Sequence, residues 1–283
     1  MITYVDIDDF TGKYITKRAE SLLKPDLEKY HSELGKRLNG KSVLVIGGAG
    51  TIGSHYIKAL LRYHIGRLVV VDINENGLTE LVRDLRSSTG YNIPQEFIER
   101  LGKRQPWSCP LGIHRFFVSP RESGELCMIA SVLGESGDII FPNLDEKRDM
   151  ITFDAIAHDL LHYLGLQADV CATEQEAREK ALLLNESSVS YPVYFFETDT
   201  SGEKPYEEFF TEREVIDTDK FTSLGVIKNS VKRESHEIDE IFARLRTLFD
   251  SGNVTKAAVA EILREYLPNF EHIEKGKGLD SKM

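Results

Sequence analysis

The chain has 283 residues, 41% hydrophobic and 29% charged, a globular composition with enough apolar material for a sizeable core. Its 46 acidic and 35 basic side chains give a net charge of -11, which argues against nucleic acid as the main partner. Cys109, Cys127 and Cys171 lie far apart without a C-x-x-C pair, and neither a signal peptide nor a membrane-length apolar run is present, so the expectation is a soluble, cytoplasmic chain with reduced thiols.

Residues 1–40 read as a charged helical extension. Ala19, Leu22, Leu23, Leu27 and Tyr30 recur at helical spacing, with Pro25 interrupting the run. The apolar run at 43–46 predicts a buried strand, and Ile57, Leu60 and Leu61 mark a helix face. A second buried strand at 68–71 ends at Asp72, and Leu78, Leu81, Val82 and Leu85 mark another helix. This β-α-β-α order opens a doubly wound α/β fold.

Beyond Phe97, helices are expected around Ile98 and Leu101, over 126–133, 153–164 and 174–184, and strands over 115–118, 138–141 and 191–196. From about Ser235 two amphipathic helices follow, split by Ser251-Gly252-Asn253. The implied organisation is a helical extension (1–40), the first half of a dinucleotide-binding domain (41–96), a smaller α+β substrate domain (97–228) and a C-terminal helical extension (229–283).

The strongest motif is Gly47-Gly48-Ala49-Gly50-Thr51-Ile52-Gly53, placed between the first strand and its helix. Glycines permit the tight turn, close approach of a pyrophosphate and close helix–strand packing, while the helix N-terminus offers free N–H groups to the anion. Asp72 follows Gly53 by nineteen residues, the placement of a carboxylate that binds the adenosine ribose hydroxyls. Its charge would repel a 2′-phosphate, so NAD is favoured over NADP. Asn74 is grouped with it as a cofactor-binding residue.

Four blocks carry a family resemblance: residues 43–53, 69–72, Arg115-Phe116-Phe117-Val118-Ser119, and Gly202-Glu203-Lys204-Pro205-Tyr206-Glu207-Glu208. On these the chain resembles the extended short-chain dehydrogenase/reductases. Within them it is most similar to the capsule and lipopolysaccharide biosynthesis branch that includes UDP-N-acetylglucosamine 4,6-dehydratases. The resemblance implies a Rossmann-type parallel sheet, bound NAD, a UDP-sugar substrate and a homo-oligomer. It also implies that Pro106, Trp107 and Ser108 contact uracil through backbone groups, and that Glu203 and Lys204 belong to a substrate-binding block. Arg115 is the candidate diphosphate contact, since an arginine fork clasps phosphates with paired hydrogen bonds.

The chain also departs from that pattern. Thr200 stands where the family's last block has a substrate-contacting arginine. No Tyr or Met has Lys four positions later; Tyr14 and Tyr63 are followed at that spacing by Arg18 and Arg67. The catalytic residues are therefore unassigned. The family would place further strands and helices between Glu96 and Phe97. Without them, two parallel strands leave the first strand's other edge unpaired and apolar surface uncovered.

Several other groups have two readings. Lys103, Arg104, Arg121 and Arg148 make the second half locally basic, as ligand contacts or as solvated surface. Asp154, His158 and His162 share one helix face, but Ile156, Leu160 and Leu161 on the same helix favour a core role, and no metal is expected. Trp107 is read as a packing residue. The functional expectation is an NAD-dependent nucleotide-sugar 4,6-dehydratase, with a 4-epimerase as the near alternative and a non-catalytic dinucleotide- or sugar-nucleotide-binding protein as the rival.

Overall fold

The computed structural model describes residues 6–86, 94–185, 187–197, 207–228, 230, 232–267 and 270. Its architecture is mixed α/β, with parallel and antiparallel sheets among many helices.

The N-terminal extension is helical in pieces. A short helix α1 (Ile7–Phe10) runs into a π turn (Thr11–Ile15), followed by α2 (Lys24–Lys29) and α3 (His31–Leu38). Pro25 does not break α2, because it lies in the first turn, where no intrahelical N–H is needed. Asp26 of α2 is fully buried and accepts the Thr222 and Ser223 N–H groups at 2.7 Å each, which fastens the extension to the far end of the chain.

Strand β1 (Ser42–Ile46), helix α4 (Thr51–Leu60) and strand β2 (Arg67–Val71) form one β-α-β unit, with β1 and β2 parallel and Leu44 opposite Val69, Ile46 opposite Val71. Helix α5 (Glu75–Arg86) follows. Val43, Val45, Leu68 and Val70 face α4 and the core. The other face differs from the buried strands that the apolar runs predict: Leu44 is 60% and Ile46 78% exposed, with Val69 and Val71 beside them. Among the described residues β1 pairs only with β2. The Glu96–Phe97 junction falls inside a single helix, α6 (Pro94–Gly102).

Helix α7 (Pro120–Leu133) begins six residues earlier than its apolar pattern suggests. Ser119 and Glu122 form a reciprocal capping box and Pro120 occupies the first turn. This helix lies across α4, and Met128, Ile129 and Leu133 share a core with Ile57 and Leu60 of α4 and Leu34 of α3. The same core takes in Leu224 and Val226 of β10 (Leu224–Ile227), the centre of an antiparallel sheet with β5 (Ile139–Pro142) and β9 (Ile216–Asp217).

Two acids on the inner face of α7 are buried. Glu122 receives Arg18 Nε at 3.2 Å, Arg18 Nη2 at 3.1 Å and the Leu22 N–H at 2.7 Å. Glu125 accepts the Ser21 hydroxyl, Arg62 Nη1 at 2.5 Å and Arg121 Nε at 2.9 Å. Burial alone would raise the Glu125 carboxyl, but the Ser21 hydroxyl and the Arg121 and Arg62 guanidiniums outweigh it and hold it below the ordinary glutamate range.

A second core lies around Trp107, Ile156, Leu160, Leu161 and Val193. It is built by a parallel sheet in the order β3 (Trp107–Pro110), β8 (Ser190–Phe196), β7 (Gln167–Cys171), together with the antiparallel pair β4 (His114–Phe116) and β6 (Met150–Thr152). A one-turn helix α8 (Glu146–Asp149) precedes β6; α9 (Phe153–Tyr163) covers the sheet and α10 (Glu174–Ala181) flanks it. Phe10 and Ile15 of the extension also enter this core, so the N-terminal segment touches both.

At the C-terminal end, α11 (Ser235–Asp250) and α12 (Lys256–Tyr266) form a hairpin. Gly252 supplies the positive φ (71°) that turns the chain, Thr255 caps α12, and Arg244 grips Glu265 with two bonds of 2.6 and 2.9 Å. Among the described residues no helix is long and apolar enough to cross a membrane.

Candidate dinucleotide-binding site

The glycine turn sits at the carboxyl end of β1. Gly47 donates to Val71 O at 2.8 Å, closing the turn on β2, and has a φ of 76°, a conformation that disfavours any side chain. Gly48 packs its Cα against Val70 and Ile57; a Cβ there would overlap Val70 and lie 3.0 Å from Ile57 Cδ1. Gly53 is equally enclosed, since a Cβ would run into Gly47 O and lie 2.8 Å from Gly48 Cα. Both glycines are thus required by the turn's own packing.

Gly50 is different. It caps α4 in extended conformation (φ -72°, ψ 166°), and a Cβ would meet Gly47 O only at an ordinary 3.6 Å. No side chain caps this end of α4. The N–H groups of the first helical turn, which have no acceptor within the helix, are therefore available to an anion.

Asp72 follows β2. Its Oδ2 accepts the Ala49 N–H at 2.9 Å and its Oδ1 the Asn74 N–H at 2.9 Å. These backbone donors, Asn74 and then Ala49, hold its carboxyl below the ordinary aspartate range. An ionised carboxylate has about four acceptor positions, more than these backbone donors fill, which leaves room for a further donor. Asn74 in turn accepts the Gly77 N–H at 2.9 Å as the cap of α5. A Cβ on Gly77 would lie 3.1 Å from Ala49 Cβ, so the start of α5 leans directly on the glycine turn. The sequence reading passed over Gly77, although Asn-x-x-Gly at a helix start was there to be read.

The structure thus brings Gly47, Gly48, Ala49, Gly50, Thr51, Ile52, Gly53, Asp72 and Asn74 to one end of the β1–β2 pair. The residues singled out for the substrate lie elsewhere. Trp107 is fully buried, with Nε1 donating to Phe97 O at 2.9 Å and its ring 4.8 Å from Phe97 and 5.3 Å from Tyr191. Its side chain is a packing element. Ser108 follows it on β3, an edge strand whose outer backbone groups face away from β8, and Pro106 precedes the strand. Arg115 lies in the β4–β6 pair, half-buried, with Nη1 donating to His114 O at 2.8 Å. Glu203 and Lys204 lie outside the described residues.

Three of the other basic side chains have protein partners: Arg104 reaches Leu184 O, Arg121 reaches Glu125, and Arg148 grips Asp149. Asp154 accepts the Gly112 N–H at 3.2 Å and the His158 ring packs 5.1 Å from Phe195. Among the described residues no three His, Cys, Asp or Glu side chains are grouped to hold a metal ion.

Residues 43–105 match a family described as polysaccharide biosynthesis protein. A stretch of 47 residues is 45% identical to an uncharacterized membrane protein of Methanocaldococcus jannaschii, covering 17% of this chain and 14% of that protein. The chain therefore spans only a small part of that relative's length. The family match takes in β1, the glycine turn, α4, β2 and Asp72. It fits a role in polysaccharide biosynthesis and, for this part of the chain, supports the polysaccharide-biosynthesis branch of the extended short-chain dehydrogenase/reductases.

Proposed function

We propose that the chain binds NAD at the glycine turn and handles a nucleotide sugar in polysaccharide biosynthesis, with chemistry of the UDP-N-acetylglucosamine 4,6-dehydratase type. The observation that carries this reading is the joint placement of an uncapped α4 N-terminus, an unobstructed Gly50 and a backbone-anchored Asp72 at the end of one parallel strand pair. Those residues fit a dinucleotide. The first turn of α4 would hold the pyrophosphate by its N–H groups, and Asp72 would accept the adenosine ribose hydroxyls. NAD, when bound, would take a hydride from C4 of the sugar and return it to C6 once water is lost across C5–C6, so the cofactor would be regenerated. Arg115 would hold the substrate diphosphate, and the outer edge of β3 at Pro106, Trp107 and Ser108 would offer its backbone groups to the uracil.

A second reading, a non-catalytic binding protein, is favoured by two specific observations. No Tyr or Met is followed by Lys at the family's spacing, and the outer face of β1–β2 has no covering layer among the described residues. The discriminating experiment uses chain whose intact mass equals the 32.1 kDa of this sequence. Calorimetric NAD titration and an assay for a 4-keto product from UDP-N-acetylglucosamine are run on the same sample. NAD binding with turnover supports the dehydratase; NAD binding without turnover supports a dinucleotide-binding protein; no NAD binding overturns both of these.

A further inference from the structure

Beyond the end of α4 opposite the glycine turn lies a cleft of about 620 Å³, bounded by the N-terminal extension on one side and, on the other, by Arg62 and Tyr63 just past α4 and by Arg121 in the first turn of α7. Ten residues of α4 separate the two places, about 15 Å at the helical rise. We propose that this cleft is a binding site for a small phosphorylated sugar, separate from the dinucleotide site and independent of whether that site binds NAD.

The Glu125 side chain is fully buried behind Arg62 and Arg121. Its Oε1 accepts both Arg62 Nη1 at 2.5 Å and Arg121 Nε at 2.9 Å, while the other oxygen takes the Ser21 hydroxyl. One carboxylate oxygen thus draws two guanidiniums together. Two guanidiniums against a single carboxylate leave this wall, taken by itself, with one positive charge in excess, which suits it to an anion. Each guanidinium uses only one nitrogen on Glu125, and both side chains line the cleft, Arg62 41% and Arg121 63% exposed. Each keeps further N–H donors of the kind that suits a phosphate monoester.

The facing wall has the opposite character. Glu20 and Glu28 line it, with Lys24 held by Glu20 at 2.6 Å. Carboxylates on that side would repel a second phosphate, which disfavours a nucleoside diphosphate. They accept hydroxyl hydrogens readily, so a phosphate at one end and hydroxyls at the other match the two walls. The volume falls in the usual range for small-ligand sites, about 300–1,000 Å³.

The test is calorimetric titration of the full chain with glucose 6-phosphate, with inorganic phosphate and glucose as separate arms. The sugar phosphate is expected to bind saturably and more tightly than either arm. Arg121→Gln, which leaves Glu125 its bonds to Ser21 and Arg62, should weaken the sugar phosphate by about tenfold. Glu28→Gln, at an exposed position, should weaken the sugar phosphate while leaving inorganic phosphate unchanged. Sugar-phosphate binding no tighter than that of inorganic phosphate, or full affinity in both variants with unaltered thermal unfolding, overturns the proposal.

Discussion

The backbone of His55 occupies the point where a Cβ on Gly124 would stand, and Tyr56 N lies 2.6 Å from that point. Helix α7, some seventy residues later in the sequence, therefore crosses the helix that begins at the glycine turn with its backbone in direct contact. Tyr56 and Ser131 close the same crossing with a hydroxyl–hydroxyl bond of 3.2 Å. Gly124→Ala should force the helices apart. Overpacking of this kind costs about 1–3 kcal/mol, against a gain of about 1 kcal/mol in helix propensity. A lower denaturant midpoint is expected; a midpoint at or above that of the parent chain would show that the crossing yields without strain.

Asp72 supplies the second prediction. Asp72→Asn keeps the size of the side chain but removes the charge that a ribose hydroxyl would meet and a 2′-phosphate would avoid. NAD affinity should fall roughly ten- to a hundredfold, and the preference against NADP should relax. Titration of both cofactors into both proteins checks this. Equal affinities before and after the change would remove Asp72 from the site.

The third prediction concerns acid. Glu125 titrates below its ordinary range in the folded chain, so folding favours its ionised form. Its contribution is fully present above the unfolded glutamate value of about 4.3 and is lost as pH falls through the lower folded value. At neutral pH, Glu125→Gln should cost on the order of 2 kcal/mol. That is below the ~3–5 kcal/mol of a wholly buried pair, because solvent screens the 41% and 63% exposed arginines. The stability difference between parent and variant should then shrink on acidification below about pH 4.3. A difference that stays constant across that range would mean the carboxyl does not titrate with folding.

The β1–turn–α4–β2 unit was legible in the sequence because its signals are local: two apolar runs, glycines at fixed offsets and an acid at the second strand's end. The start of α7 was misplaced: apolar periodicity pointed to Leu126, whereas the Ser119–Glu122 capping box begins the helix six residues earlier. Strand β7 was not legible, since Gln167, Asp169 and Cys171 carry no strand signal and Asp169 is instead tied to Lys180 at 2.8 Å. Gly225 in the middle of β10 likewise makes sense only once the Phe141 ring is seen lying over it. The burial of Glu122 and Glu125 depends on Arg18, Ser21 and Leu22, about a hundred positions away, and no local pattern encodes that. For the candidate site, the closeness of the glycine turn to Asp72 and Asn74 was legible, whereas Trp107 entered the substrate set through a resemblance that concerned its backbone, and its ring belongs to the core.

The outer face of β1–β2, which has no covering layer among the described residues, has a calorimetric consequence. Leu44, Ile46, Val69 and Val71 are substantially wetted in the native chain, much as they are in the denatured one. The heat capacity of unfolding comes from apolar surface newly brought into contact with water, about 0.45 cal/K/mol for each Å², so this face adds little to it. Per residue, the β1–β2 pair should register in a melting scan as less of a core than its run of branched aliphatics suggests. Any segment that covers the face should do so with a negative heat-capacity change.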